Sequence, residues 1–164
     1  MNVLSRGLAC VVVLTLTFVG SEAFAQKQIS NKLGGLSLDA HLPDVGKNDC
    51  QIQLWTDFGL GNQRWNITGV GGGYHKITSA ASGKALAAHL FDVHRNGCRI
   101  QLWDYIGFAN QQWKISQVDG GYVKIVNRAS GKALAADLFN ARNNGCPTQL
   151  WDYIGWDNQM WRIN

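Results

Sequence analysis

The sequence predicts an all-β protein made of three repeats of four strands, and two observations carry that prediction. One segment occurs three times at a constant spacing of 48 residues, and each copy holds Gln-Leu-Trp followed ten residues later by a second tryptophan. Beyond the first 25 residues, no stretch sustains apolar residues at the three- and four-residue spacing of a helix. A repeat of this length is a structural unit, so it sets the architecture before any local pattern does. Equivalent positions include Cys50, Cys98 and Cys146; Trp55, Trp103 and Trp151; and Trp65, Trp113 and Trp161.

The amino-terminal segment, residues 1–25, has the pattern of a secretory signal peptide. Arg6 gives a positive start, an apolar run follows at 11–19, and Ala-Phe-Ala at 23–25 is a small-x-small cleavage site. A membrane anchor is the alternative, but the run is shorter than the roughly 20 apolar residues that spanning requires. We expect a secreted protein, periplasmic or extracellular, whose mature chain begins at Gln26.

The charge distribution argues against nucleic acid as a partner. The formal net charge is +4, and the lysines and arginines are scattered through the repeats without a run of like charges. A nucleic-acid footprint is a clustered basic stripe. The sequence therefore predicts no nucleic-acid binding and no membrane insertion.

Each repeat carries one cysteine at the same place, and we expect these thiols to stay unpaired. A disulfide needs Cα atoms within roughly 7 Å, whereas equivalent residues away from a three-fold axis lie farther apart. A three-cysteine metal site on the axis is the alternative. Zinc normally takes four ligands, and the repeat supplies no matching histidine. We predict neither a metal nor a cofactor.

The second repeat shows how its four strands are expected to follow one another. A strand is predicted at 74–77 after three glycines, and a second at 84–88 after an Ala-Ser-Gly turn. Asn96-Gly97 favours positive φ and is the strongest turn signal. Alternation of apolar and polar residues predicts a third strand at 99–103, and the fourth follows at 112–115.

The other two repeats follow the same plan, so twelve strands are expected. The third tracks the second closely, and the first is the most diverged, with an opening strand near 28–29. Because no repeat can bury its own apolar face, the three must share one core. Regular short strands with this repetition predict a β-trefoil with pseudo-three-fold symmetry, a six-stranded barrel capped by three hairpins. The repeats run over about 26–69, 70–117 and 118–164.

Three Gln-x-Trp motifs connect this sequence to a known family. They stand at 63–65, 111–113 and 159–161, each preceded by Gln-Leu-Trp and a glycine-containing loop. The sequence resembles the ricin B-chain-like (Q-x-W)3 β-trefoil lectins over the whole of 26–164. The resemblance implies a non-catalytic carbohydrate-binding protein with up to three shallow pockets. Its default ligands are galactose- or N-acetylgalactosamine-type glycans.

The family pattern assigns roles to residues of each repeat. It implies that the Gln-x-Trp tryptophans are in the core, while the Gln-Leu-Trp tryptophans are surface rings on which a sugar stacks. We call Trp55, Trp103 and Trp151 the platform tryptophans. An Asn next to the Gln-x-Trp glutamine and a carboxylate on the second strand would bind sugar hydroxyls. The candidate carbohydrate-binding residues are Asp39, Trp55, Asn62 and Gln63 in the first repeat, His89, Trp103, Asn110 and Gln111 in the second, and Asp137, Trp151, Asn158 and Gln159 in the third.

The carboxylate of the family pattern is present in the first repeat alone. Asp39 has Ala87 and Ala135 as its equivalents. His89 and Asp137 come two residues later and would lie on the same face if the strand continues. The first pocket therefore has the fullest family set, and the second departs from it most.

Other acidic residues leave alternatives open. Asp92, with Asp44 and Asn140 as equivalents, lies in the loop after the second strand and could reach the pocket. Asp104 and Asp152 follow the platform tryptophans and are expected either to contribute to a pocket or to hold the local turn.

Two other functional classes are an enzyme and a protein-binding module. A glycosidase needs two carboxylates roughly 5 to 10 Å apart across a cleft, whereas the few acidic residues here follow the repeat and spread around the axis. We therefore predict that the protein is not an enzyme. A protein-binding trefoil, such as a toxin or adhesin subunit or an inhibitor, is the alternative function, because a fold does not dictate its function. A toxin or enzyme partner chain is possible on this view, and its identity is unknown.

Overall fold

The computed structural model describes residues 26–164, and the predicted signal peptide lies outside the described residues. The described residues form twelve strands, as predicted, with short 3₁₀ turns between them. The strands are β1 (Ile29–Asn31), β2 (Ser37–Ala40), β3 (Cys50–Trp55), β4 (Trp65–Gly71), β5 (Tyr74–Ser79), β6 (Ala85–Ala88), β7 (Cys98–Trp103), β8 (Trp113–Gln117), β9 (Val123–Asn127), β10 (Ala133–Ala136), β11 (Cys146–Trp151) and β12 (Trp161–Ile163). The 3₁₀ turns are Leu42–Asp44, Gly61–Gln63, Leu90–Asp92, Ala109–Gln111, Asp119–Gly121 and Asp157–Gln159.

The strands form one antiparallel sheet that closes on itself. The three Gln-Leu-Trp strands pair with one another, β3 with β7, β7 with β11 and β11 with β3. The first strand pairs with the last, so that Ile29 lies opposite Ile163. The all-β, β-trefoil-like architecture expected from the sequence is confirmed.

All three repeats contribute side chains to one core. The Gln-x-Trp tryptophans Trp65, Trp113 and Trp161 are fully buried, as predicted. Each indole Nε1 donates to a backbone carbonyl of the second strand of its own repeat, at 2.9–3.0 Å. The ring therefore fills the core, and its single polar atom is satisfied in a water-free environment.

The three cysteines of the described chain are buried and unpaired, as expected. Each thiol lies 3.5–3.7 Å from the backbone oxygen of residue 41, 89 or 137. Burial raises the pKa of Cys50 and of Cys146 to about 11, so these thiols are protonated near neutral pH. Within residues 26–164 no group of His, Cys, Asp and Glu side chains is arranged to hold a metal ion. A search of the same residues finds no helix with the length and apolarity needed to cross a membrane.

A polar junction joins each repeat to the next beneath a platform tryptophan. Asn48 of the first repeat donates to the Asp104 carboxylate and accepts from the Asp104 backbone N–H, both at 2.9 Å. Lys84 Nζ donates to Asn48 at 2.9 Å and to Asp104 at 2.6 Å. The next junction repeats this arrangement with Asn96, Asp152 and Lys132. Asp104 and Asp152 therefore hold the junctions between repeats.

The junction between the third and first repeats has no charged pair. Asn144 Oδ1 accepts from the Thr56 backbone N–H at 2.7 Å and from the Thr56 hydroxyl at 3.1 Å. Leu36 stands where the other junctions have lysine.

Candidate functional site

Each candidate pocket lies mainly among three segments of one repeat: the turn after the second strand, the Gln-Leu-Trp strand, and the loop before the Gln-x-Trp motif. We call them the first, second and third pockets, where the first is the place in the first repeat that corresponds to the cavities of the other two. The second pocket also includes Asn48 and Asp49 of the first repeat. The second is a cavity of about 440 Å³ whose lining includes His89, Trp103, Asn110 and Gln111. The third is about 300 Å³, and its lining includes Asp137, Trp151, Asn158 and Gln159. The predicted residues of these two repeats are thus brought together.

The second pocket combines an accessible ring with buried acceptors. The Trp103 side chain is 37% exposed. Asn110 donates through Nδ2 to the Ala88 carbonyl at 2.8 Å, so its Oδ1 faces the other way. Asn110 Oδ1 and Gln101 Oε1 are buried without a hydrogen-bond partner among residues 26–164. Because buried polar atoms normally have partners, these two acceptors can each take a hydrogen bond from a hydroxyl or water that reaches them.

The third pocket repeats the ring and the buried amide. Trp151 is 40% exposed, and Asn158 donates to the Ala136 carbonyl at 2.8 Å. Asn158 Oδ1 is again buried without a partner within the described chain. The Asp137 carboxylate accepts from the backbone N–H and the side-chain amide of Asn140, at 3.1 and 2.7 Å.

The first pocket is organised by a buried carboxylate. Asp39 is 4% exposed, and it accepts hydrogen bonds from Gln53 Nε2 at 2.9 Å and Asn62 Nδ2 at 2.8 Å. Burial raises the pKa of Asp39, and the amide hydrogen bonds oppose part of that rise. Asn62 Oδ1 has no partner within residues 26–164, like its counterparts. Trp55 is half-buried.

The Gln-x-Trp glutamines hold the loops that form the pocket walls. Gln63 Oε1 accepts from the Phe58 N–H, and its Nε2 donates to the Thr56 carbonyl, both at 2.8 Å. Gln111 and Gln159 make the same pair of bonds in their repeats. Both ends of each amide are used within the loop, so these three glutamines fix the loop geometry.

His89 and Asp137 reach the pockets by a different route from the one expected. The strands end at Ala88 and Ala136, so continuation of the strand does not place these two side chains. His89 stands at the start of a 3₁₀ turn and Asp137 at the start of an ordinary turn, and both residues line the cavities. His89 Nδ1 lies 2.9 Å from the Asp92 carboxylate, so Asp92 pairs with a pocket residue.

An apolar rim surrounds the pockets, and the sequence reading did not identify it. Phe91 and Phe139 are 89% and 90% exposed. The rim also includes Leu90, Ile106 and Phe108 in the second repeat and Leu138, Ile154 and Trp156 in the third. Apolar residues at equivalent places in loops of successive repeats were the available signal. The strand glutamines Gln53, Gln101 and Gln149 were also missed, although each directly precedes Leu-Trp.

Comparisons with known proteins agree with this geometry. The sequence model of the family described as ricin-type beta-trefoil lectin domain-like matches residues 17–103 and 109–164. No curated protein sequence matches the chain. The designed three-fold symmetric protein ThreeFoil is 31% identical, with a TM-score of 0.79, and the match covers 84% of this chain and 96% of ThreeFoil.

Natural proteins of known structure are similar as well. An exo-beta-1,3-galactanase from Clostridium thermocellum is 34% identical with a TM-score of 0.78, and the match covers 84% of this chain but 29% of the galactanase. The ricin B-like lectin of Macrolepiota procera, solved in complex with lactose, is 20% identical with a TM-score of 0.74, over 86% of this chain and 95% of the lectin. The chain belongs to the ricin-type β-trefoil lectin domain-like family.

Proposed function

We propose that this protein is an exported, non-catalytic carbohydrate-binding protein with up to three pockets arranged with pseudo-three-fold symmetry. The observation that carries the proposal is a pairing found in the second and third pockets. In each, an exposed platform tryptophan shares the cavity with an asparagine whose Oδ1 is buried and unpartnered within the described chain. Family membership supports the same function.

The chemistry of the two groups suits a pyranose ring. The C–H face of a sugar is weakly apolar and stacks on the electron-rich indole face, which orients the ring without using its hydroxyls. A hydroxyl at the ring edge then donates to the asparagine Oδ1, which satisfies a buried acceptor. The site residues of the second and third pockets act in these roles: Trp103 and Trp151 as stacking rings, Asn110 and Asn158 as acceptors.

Several shallow pockets on one rigid body favour binding to glycan-dense surfaces. One ring and a few hydrogen bonds should bind a monosaccharide in the millimolar range, about −4 kcal/mol. When further contacts become intramolecular, avidity rises by roughly 10² to 10⁴. Galactose- or N-acetylgalactosamine-type glycans are the default ligands, and the galactanase among the similar structures supports that class.

The acidic residues support a binding role over hydrolysis. Asp39 is buried under the first pocket, whereas Asp137 lies in the third and is bonded to Asn140. A glycosidase would need two carboxylates facing each other across one cleft.

A glycan array at high valency tests the proposal. The protein should bind a defined set of glycans, and the double variant Trp103→Ala with Trp151→Ala should lose most of that binding while keeping its thermal midpoint. A variant changed at Tyr122, away from the pockets, is a suitable control. Equal binding by the double variant and the unaltered protein would contradict the proposal.

A protein-binding trefoil is the second candidate, and the nearly complete exposure of Phe91 and Phe139 favours it. Exposed apolar side chains rimmed by polar residues mark interaction sites. On this view, Phe91→Ser with Phe139→Ser would abolish capture of a protein partner, whereas the platform tryptophan variant would retain it. The lectin proposal predicts instead that the Trp103→Ala, Trp151→Ala variant loses more glycan binding than the Phe91→Ser, Phe139→Ser variant.

A further inference from the structure

Asp49 has a positive φ, and the equivalent residues of the other two repeats, which have the same conformation, are glycines. Its φ is 71°, and it is the sole non-glycine residue among 26–164 with positive φ. Gly97 and Gly145 occupy the same place with φ of 86° and 83°. Glycine adopts this region at no steric cost, whereas a residue with a Cβ is disfavoured there. Aspartate tolerates this region better than most residues with a Cβ, so the turn keeps its shape while it presents a charged side chain at this position.

The position of Asp49 is beside the platform tryptophan of the next repeat. Its backbone N–H donates to the Leu102 carbonyl at 2.9 Å, and Gly145 makes the equivalent bond to Leu54. A Cβ built on Gly145 would lie 3.8 Å from Cζ3 of Trp55. Asp49 and Trp103 both line the second pocket, so one repeat adds a side chain to the pocket of another.

Arg99 forms an ion pair with Asp49 at the edge of the second pocket. The guanidinium Nη1 and the Asp49 carboxylate form an ion pair with side chains 51% and 54% exposed, and both residues line the second pocket. The equivalents of Arg99 are Gln51 and Pro147, so neither of the other repeats reproduces the pair. The turn requires the positive φ in all three repeats, but it does not require a carboxylate, and an exposed ion pair adds little to stability.

We propose that Asp49 and Arg99 form a second sugar subsite at the edge of the second pocket. It binds the unit next to the sugar stacked on Trp103, and this inference rests on the proposed function. The buried acceptors Gln101 Oε1 and Asn110 Oδ1 take hydroxyls of the first ring, while the ion pair faces the second.

The chemistry of the pair selects a neutral oligosaccharide. A hydroxyl of the second ring donates to the Asp49 carboxylate, and its oxygen, or that of a neighbouring hydroxyl, accepts from Arg99. Charge-assisted hydrogen bonds of this kind are stronger than those between neutral groups. A sugar carboxylate would gain from Arg99 but be repelled by Asp49, so acidic units are not favoured. The second pocket therefore prefers a neutral disaccharide or longer chain to a monosaccharide.

The test uses Asp49→Gly and Arg99→Gln, which install residues that other repeats already hold. Galactose and lactose are titrated into the full chain, and the tryptophan indole resonances of Trp103 and Trp151 report the second and third pockets separately. In the unaltered protein, lactose should bind at Trp103 about tenfold more tightly than galactose. Both variants should lose the tenfold preference for lactose at Trp103. The galactose affinity at Trp103, and the affinities for galactose and lactose at Trp151, should change less than twofold.

The outcomes separate the subsite from the function on which it rests. Equal affinities for lactose and galactose at Trp103, or an unchanged lactose affinity in Asp49→Gly, would overturn the subsite alone. A lower thermal midpoint in Asp49→Gly with equal losses for both sugars would make the pair structural and overturn it as well. If neither sugar perturbs either indole in the unaltered protein, the proposed galactose-type lectin function fails, and the subsite fails with it.

Discussion

The first and second pockets have equivalent backbone elements, but they differ in the buried polar groups at their base. In the first, the Asp39 carboxylate takes the amide donors of Gln53 and Asn62. In the second, Ala87 stands in its place, and Gln101 keeps a buried acceptor without a partner in the described chain. A buried carboxylate fixes its neighbours but incurs a burial cost, whereas alanine leaves an amide available to a ligand.

The residues around the two pockets also differ, because the second has charged residues at positions where the first has neutral ones. The second is bordered by Asp49 and Arg99 and stands on a junction with a lysine–aspartate pair. The first has Gly145 beside Trp55 and a junction of neutral groups. The second pocket, which departs most from the family pattern, thus has a more exposed ring than the first and charged groups at its border. Missing the family carboxylate does not empty a pocket of polar groups.

The largest expected effect comes from exchanging the platform tryptophans for alanine one at a time. Trp103→Ala should weaken glycan binding by about 30-fold, or about 2 kcal/mol, because a stacked sugar covers part of an exposed indole. Trp55→Ala should weaken it less, since Trp55 is the more buried ring. Calorimetric titration with a multivalent glycan measures both. A larger loss for Trp55→Ala would reverse the comparison and make the first pocket the principal site.

A smaller effect is expected at the junctions beneath these pockets. Asn48 makes three hydrogen bonds across its junction, and Asn144 makes two across the other. At about 0.5 kcal/mol for each exposed bond, Asn48→Ala should lower the free energy of unfolding by about 1.5 kcal/mol and Asn144→Ala by about 1 kcal/mol.

Chemical denaturation at low and high salt distinguishes the two junctions further. The cost of Asn48→Ala should shrink at high salt, because screening weakens the contact with Lys84. The cost of Asn144→Ala should stay constant. Equal salt responses of the two variants would show that the Lys84–Asp104 pair adds nothing to the junction at Asn48.

The smallest expected effect is a change in the pH dependence of stability. Burial raises the folded-state pKa of Asp39 above its ordinary value, so the folded protein binds that proton more tightly than the unfolded chain. The free energy of unfolding therefore falls as pH rises from the ordinary value through the folded value. Asp39→Asn removes this fall, so the stability of the variant relative to the unaltered protein should increase between about pH 3 and pH 7.

The reciprocal variant Ala87→Asp provides the matched control. It should introduce a second fall over the same pH range if the new carboxylate is buried as Asp39 is. The pKa values of Asp104 and Asp152 are lowered by their lysine partners, and these residues act in the opposite sense. Because both variants retain them, their contribution cancels in the difference.

The sequence was sufficient for the architecture because the signal was repeated. A constant spacing of 48 residues places equivalent side chains in equivalent environments, so the burial of Trp65 and its counterparts followed from one unit. The closeness of Trp103 to Asn110 followed from the family resemblance. Both inferences depend on periodicity, which a single sequence reveals directly.

The details that set chemistry were less accessible. The direction of Asn110 depends on a carbonyl at Ala88, and the placement of His89 depends on a 3₁₀ turn in place of a longer strand. Both arise from tertiary contacts that no local pattern encodes. Asp49 could have been noticed in the sequence, because it is an aspartate at a position where the other two repeats have glycine. The apolar rim could have been noticed as well, from the equivalent phenylalanines at 91 and 139.

The pairing of the first strand with the last has a kinetic consequence. Ile29 lies opposite Ile163, so a central contact of the sheet joins residues at the two ends of the described chain. Chain regions far apart in sequence meet slowly, because the loop between them must be ordered first. The sheet cannot close until β12 is available to pair with β1, and the incomplete sheet has an unpaired edge until then. A circular permutant that joins 164 to 26 by a short linker and opens the Gly71–Gly73 loop should not fold faster, because it makes the β1–β12 contact local but separates β4 from β5, which pair with each other across that loop.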